Sequence, residues 1–266
     1  MSSSPHSPEA QEKPVLIPDA LSGEDKAAIK ELLDARLILN PPISSEEVKQ
    51  AYLDPRNHKG HAALTSALVV QRLSQMCQKI EKFKRLTSKE DKKTLLRGGY
   101  LDVAILEASH GYDASKACMR TPRIFGGPVV TEDTLRKMIN NAGEMIIDFN
   151  KSWDPAIVQN RVTIEIVKAI AMFNHRSPHL EDFCYVYDTQ LEYTDLLQRY
   201  LESISPDRQT VEETFGHILF RLADLRVLNG EIMERFLCQS NEAIEPVYSI
   251  LYDLEMMKAN KCCHEC

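Results

Sequence analysis

The chain has 266 residues, a net charge of -7 and a pI near 5.7, and 43% of its residues are apolar. That is enough apolar side chain for one extended domain with a sizeable core, and it excludes wholesale disorder. The acidic balance, with no basic stripe interleaved with aromatics, argues against direct nucleic-acid contact, and no apolar run reaches the roughly eighteen residues of a membrane span.

Seven cysteines are present, and only Cys262, Cys263 and Cys266 lie close together, so the pattern predicts no disulfide framework and fits a reducing compartment. Residues 1–20 open with "MSSSPHSPEAQEKP", which lacks the apolar middle of a signal peptide and reads as a disordered lead. Next, "SGEDKAAIKELLDARLI" offers Ser22 as a helix cap and Ile29, Leu32, Leu33 and Leu37 as one apolar stripe. A second helix is expected over 44–52, where Ser44 and Glu47 have capping-box spacing. Thr65, Val69, Leu73, Met76, Ile80 and Phe83 then recur at helical spacing and predict one long central helix over 61–83.

Helical patterns continue over 88–110, 131–151, 156–173, 181–203, 210–238 and 243–257. One region breaks them. "MRTPRIFGGPVV", residues 119–130, mixes β-branched and aromatic residues with Gly126, Gly127 and Pro128, which suits a small hairpin or turn. Residues 259–266 read as a flexible tail. Its "CCHEC" packs soft ligands too tightly for a good tetrahedral zinc site, so exposed thiols are the reading and no metal or other cofactor is expected.

The stretch "FKRLTSKEDKKTLLRGG", residues 83–99, places Gly98 and Gly99 directly before an almost wholly apolar run. Glycine costs about 1 kcal/mol against alanine inside a helix, so the pair predicts a bend or a close backbone approach in a buried helix. This stretch also resembles the signature that joins the third, fourth and fifth helices of nuclear receptor ligand-binding domains, with Phe83 and Leu86 beneath a turn formed by Asp91, Leu95 and Leu96. "EIVKAIAMFNHRSPHLED" resembles that family's eighth helix and following loop. "YTDLLQRYLES" and "FRLADLRVLN" resemble its ninth and tenth helices, in the same order and spacing. The likeness spans roughly residues 22–257 and is closest in cadence to the thyroid, ecdysteroid and farnesoid branch.

The resemblance implies an all-α domain over 21–258, a three-layer helical sandwich of about twelve helices with one small β-hairpin, enclosing a cavity for a small lipophilic ligand. By motif position the ligand-facing candidates are Ala62, Thr65, Ser66, Val69 and Leu73 on the third helix and Ala104, Ile105, Glu107 and Ala108 on the fifth. Phe125, Ile232 and Phe236 are expected to close the far side. Glu107 stands where related receptors usually carry an arginine, and Gly111 where a second basic residue is common. The reversed sign suits a neutral or amine-bearing ligand, or else an internal ion pair with an arginine or lysine.

The same resemblance implies a groove for leucine-rich coactivator or corepressor helices, clamped by charge at both ends. Gln78 replaces the clamp lysine, although Lys79 stands beside it, and Ile250 replaces the clamp glutamate unless a shifted register uses Glu255. Lys93 replaces an apolar groove residue, and Arg97 keeps the other wall basic. The clamp is expected to be impaired. Along "TVEETFGHILFRLADLRVLN", Phe215, Leu219, Leu222 and Leu225 form a stripe flanked by charges including Arg226, which the resemblance places at a seam with a retinoid X receptor- or ultraspiracle-like partner. A nuclear location follows from the same likeness. No nucleophile elbow, phosphate loop or histidine–acid pair points to an enzyme. The alternative is a scaffold that dimerises without ligand.

Overall fold

The computed structural model describes residues 15–39, 71–120 and 129–239. Helix α1 (Gly23–Arg36) begins at the expected cap, with the Asp25 amide donating to Ser22 Oγ at 3.0 Å. Val15 and Ile17 pack against the core, so the expected disordered lead over 1–20 is too long at its C-terminal end.

Residues 71–77 are the described part of α2. The expected continuous helix over 61–83 stops here: Ile80 takes an extended conformation (φ -84°, ψ 118°) before α3 (Glu81–Arg85). In a straight helix Phe83 would lie about 240° around the axis from Cys77, with Lys84 on the Cys77 face instead. The break lets Cys77, Ile80 and Phe83 all enter the core, where none is more than 2% exposed.

Helix α4 (Lys89–His110) starts at Ser88, whose hydroxyl accepts the Asp91 amide at 3.1 Å, and runs unbroken through Gly98 and Gly99. The two glycines have different surroundings. A Cβ on Gly99 would lie 2.8 Å from the thioether of Met172, whereas one on Gly98 would meet only Ser177 Oγ at 3.6 Å. Close approach explains Gly99 alone.

The expected hairpin is a three-stranded antiparallel sheet. Strands β1 (Tyr112–Asp113), β2 (Cys118–Arg120) and β3 (Val129–Thr131) lie in that order, with Met119 opposite both Tyr112 and Val130. At Gly111 a Cβ would fall 2.4 Å from the Arg120 carbonyl oxygen, so the passing strand excludes any side chain, basic ones included.

Helix α5 (Glu132–Lys151) follows, capped by Thr131. The expected helix over 156–173 divides into α6 (Pro155–Val158) and α7 (Arg161–Met172). Asp154 accepts the Ala156 amide at 2.8 Å and Asn160 accepts the Thr163 amide at 3.1 Å, so each piece has its own cap. Helices α8 (Phe183–Ile204) and α9 (Arg208–Gln239) complete the described chain, and the expected helices over 44–52 and 243–257 lie outside it. The described residues are mainly helical, with this one small sheet.

Helix α7 is the centre. Every residue over 162–172 is buried, and the helix packs against α1, α4, α6, α8 and α9. Phe173, at its end, meets Phe83 edge-on at 6.3 Å and Tyr193 at 5.7 Å. Asp91 is fully buried and accepts the amides of Glu181 and Asp182, both at 2.8 Å, which ties the start of α4 to the loop between α7 and α8. All five residues of the expected Phe83, Leu86, Asp91, Leu95 and Leu96 arrangement are buried.

The unequal glycines give a direct test by urea unfolding. Gly98→Ala should raise stability by about 0.5–1 kcal/mol, the helical preference of alanine. Gly99→Ala should lower it by about 1–3 kcal/mol, because the new methyl displaces a packed thioether.

Candidate functional site

Arg161, Glu165 and Lys168 recur at helical spacing along α7, on a helix that is otherwise buried and, apart from Thr163, apolar. Glu107 of α4 faces this stripe. Its carboxylate pairs with Lys168 Nζ and lies 3.3 Å from Arg161 Nη1, while Glu165 lies 2.6 Å from Lys168 Nζ and 3.2 Å from Arg161 Nη1. Arg36 of α1 approaches Glu165 at 4.0 Å. Three helices therefore meet through alternating charges.

Burial pushes the Glu107 carboxyl upward, but Lys168 and Arg161 outweigh it and bring the group well below the usual carboxylate range. Glu165 moves the other way, because burial and the Glu107 charge exceed its share of the same cations. His110, one turn beyond Glu107, holds its Nδ1 2.7 Å from the Val158 carbonyl, and burial with the Arg161 charge lowers its pKa. The internal ion pair is thus the arrangement Glu107 adopts.

The other residues predicted to face ligand divide between core and undescribed chain. Leu73, Ile105, Ala108 and Ile232 belong to the contiguous apolar core, and Ala104 is half-buried. Ala62, Thr65, Ser66, Val69 and Phe125 lie outside the described residues, and at Phe236 only the helical backbone is described. Of the groove candidates, Gln78 is half-buried and Lys79 exposed in the turn that ends α2. Lys93 pairs with Glu90 at 2.9 Å, Arg97 is exposed, and Ile250 and Glu255 lie outside the described residues.

The stripe assigned to a seam on α9 needs correction. Leu222 and Leu225 are buried at 6% and 1% exposure, in line with Ile218, Leu228 and Ile232, and Phe215 packs against the same core. Of the assigned apolar residues only Leu219 lies outward, and sequence reasoning passed over its neighbours Phe220, Ala223 and Val227. Both faces of α9 carry apolar residues, so periodicity alone cannot say which one is covered. Arg226 is half-buried on the flank, near Asp102.

Asp102 is a buried polar group that the sequence did not single out. It sits on α4 facing α9, where Asn229 Nδ2 donates to Asp102 Oδ1 at 2.7 Å and to the Gly98 carbonyl at 3.0 Å. Burial pushes its carboxyl up to about 7, against the opposing pull of Asn229 and Arg226. Among the described residues no group of histidine, cysteine and acidic side chains could hold a metal ion, and no helix is long and apolar enough to cross a membrane. No family model matches the chain.

Two measurements check this site. Glu107→Ala should cost about 3–5 kcal/mol in urea unfolding, since it leaves buried cations short of a counter-charge, while Glu107→Leu with Lys168→Met should cost less than the single change. Asp102 has a folded pKa raised from 3.8 to about 7, so its contribution is full below 3.8 and declines, by at most about 1.4 kcal/mol per pH unit, until the folded pKa is passed. Asp102→Asn should remove that slope, so unfolding at pH 5 and pH 8 should differ less in the variant than in the parent protein.

Proposed function

We propose that this chain is a ligand-binding domain of the nuclear receptor type, part of a transcription regulator that works in the nucleus as a heterodimer with a retinoid X receptor- or ultraspiracle-like partner. The order of its motifs supports the reading, as do the mainly helical chain and the small sheet directly after α4. A three-layer arrangement of about twelve helices around a lipophilic cavity is the architecture this reading entails.

The observation that carries the proposal is the outer face of α9. Phe220 and Val227 are 61% and 62% exposed and Leu219 is 39% exposed, on a helix whose other face is core. A Cβ on Gly216 or Gly230, near the two ends of this face, would meet nothing within 4 Å. The Arg221 guanidinium lies 4.7 Å from the centre of the Phe220 ring. Large apolar side chains aligned in water favour a partner that covers them, and aromatic residues with an adjoining arginine are what interface centres are rich in.

The ligand in this reading is neutral and lipophilic, because Gly111 offers no cation and Glu107 is engaged by Lys168 and Arg161. That engagement also supports a second reading, a scaffold that dimerises with no ligand. Gln78 and Ile250 stand for an impaired coactivator clamp in both.

Sedimentation with the proposed partner tests the seam. Val227→Arg should weaken association at least tenfold, about 1.4 kcal/mol, without lowering stability, because the side chain is already in water. Leu225→Arg is not informative, since it places a charge in the core. Thermal shift separates the two readings: a neutral lipophile should stabilise by about 2.7 kcal/mol at a hundredfold excess over its Kd. Stabilisation by carboxylate lipids alone would overturn the neutral-ligand reading, and indifference to every lipophile would leave the scaffold.

A further inference from the structure

Away from the outer face of α9, its flank meets the junction between α5 and α6, and three polar atoms are buried there with no hydrogen-bond partner among the described residues. They are Nε1 of Trp153, Nε2 of His217 and Nε of Arg221. Trp153 is 4% exposed, and its indole meets the His217 ring edge-on at 6.0 Å, with Phe149 on another side, also at 6.0 Å. His217 and Arg221 are four residues apart on α9, so their side chains leave the same flank of the helix. Arg221 is anchored through a different atom: Nη2 holds Asp224 at 2.7 Å, while Nε is buried without a partner among the described residues.

Unpaired buried donors are uncommon in folded proteins, because each forfeits the hydrogen bond it had in water and costs about 1–3 kcal/mol. Here the sign is fixed for two of the three groups. The indole nitrogen and the guanidinium Nε can only donate, and the imidazole becomes a donor at both nitrogens on taking a proton. The missing partner is therefore an acceptor. A guanidinium favours a charged acceptor, since bonds between ions are roughly twice as strong as neutral ones.

We propose that Trp153, His217 and Arg221 form a binding site for a small oxyanion, a carboxylate or a phosphate, at the flank of α9. The indole and guanidinium N–H groups donate to its oxygens, and His217 takes up one proton from solvent as the anion enters and donates that proton from Nε2. The charged groups that act on the imidazole are Arg221 on α9, itself paired with Asp224, and Asp154 at the start of α6. Burial and the Arg221 charge hold the free imidazole below its ordinary pKa, against the pull of Asp154, so the empty site is poised neutral and gains its proton only with the anion. Asp154 is exposed and already accepts the Ala156 amide, which limits how far it competes with the anion for the imidazole. The site does not depend on the receptor reading, although Arg221 also adjoins Phe220 on the proposed seam.

Trp153 is the chain's only tryptophan, so its indole N–H gives a single unobscured signal in a nitrogen–proton correlation spectrum. The intact protein is titrated with acetate and, separately, inorganic phosphate, against sodium chloride of matched ionic strength and N-methylacetamide as a neutral acceptor. The expected result is a saturable shift of the indole signal with at least one oxyanion and none with chloride or the amide. At saturation the His217 pKa should rise by about one unit, which by linkage makes binding about tenfold tighter below that pKa than well above it. Arg221→Gln, on a partly exposed side chain, should abolish the shift while leaving the folded spectrum intact. The absence of a saturable shift with either oxyanion would show that water alone fills the site and would overturn the proposal. An equal response to N-methylacetamide, or oxyanion binding that is indifferent to pH, would overturn the charge assignment on which it stands.

Discussion

The fold depends on burying α7 on every side although that helix carries Arg161, Glu165 and Lys168. Taking a single charge out of water costs several kcal/mol, and opposite charges must recover it at short range. Glu107 from α4, with Arg36 approaching from α1, surrounds the stripe with alternating charge. Because attraction between buried ions falls off quickly with misplacement, the cluster fixes how far α4 and α1 sit along α7. Apolar packing would tolerate a slide by one turn, but the cluster does not. The close approach at Gly99 applies the same constraint at the opposite end of the contact, where α4 lies against Met172.

Around this centre α4 makes two helical contacts of different kinds. The α4–α7 contact is ionic and close, whereas the α4–α9 contact is held by Asn229 bridging the Gly98 carbonyl and a carboxyl that is half protonated near neutral pH. The first is a contact between ions, and the second is a hydrogen-bonded contact whose charge depends on pH. Helix α9 is also the element with apolar residues on its outer face and unpartnered donors on its flank.

Much of the helical layout was legible because its signals are local. Ser22, Ser88 and Thr131 each cap the helix that follows, and the periods over 88–110 and 131–151 end within a residue or two of the helices observed. The break at Ile80 was not legible, since it lies inside an unbroken apolar period and depends on which face a neighbour covers, whereas Asn160 offered a local cap signal within the polar run Gln159-Asn160-Arg161. The ion cluster was half legible. Glu107 stood out as a carboxylate in an apolar run, but Lys168 and Arg161 read as ordinary helical residues, because nothing local shows that α7 is enclosed. The flank of α9 was hidden for the same reason: Trp153 and His217 are 64 positions apart and become neighbours only through the return of the chain.

The Asp91 carboxylate joins Glu181 and Asp182 to the beginning of α4. A surface connection of this kind normally frays by itself, its amides exchanging with solvent on the timescale of small local openings. Here, releasing those two amides would strand a fully buried carboxylate, so the loop cannot open without disturbing the α3–α4 turn and the Phe83 packing beneath it. Amide exchange at 181 and 182 should then run at the slow pace of the core rather than that of a loop, making this connection part of the same cooperative unfolding unit as α4.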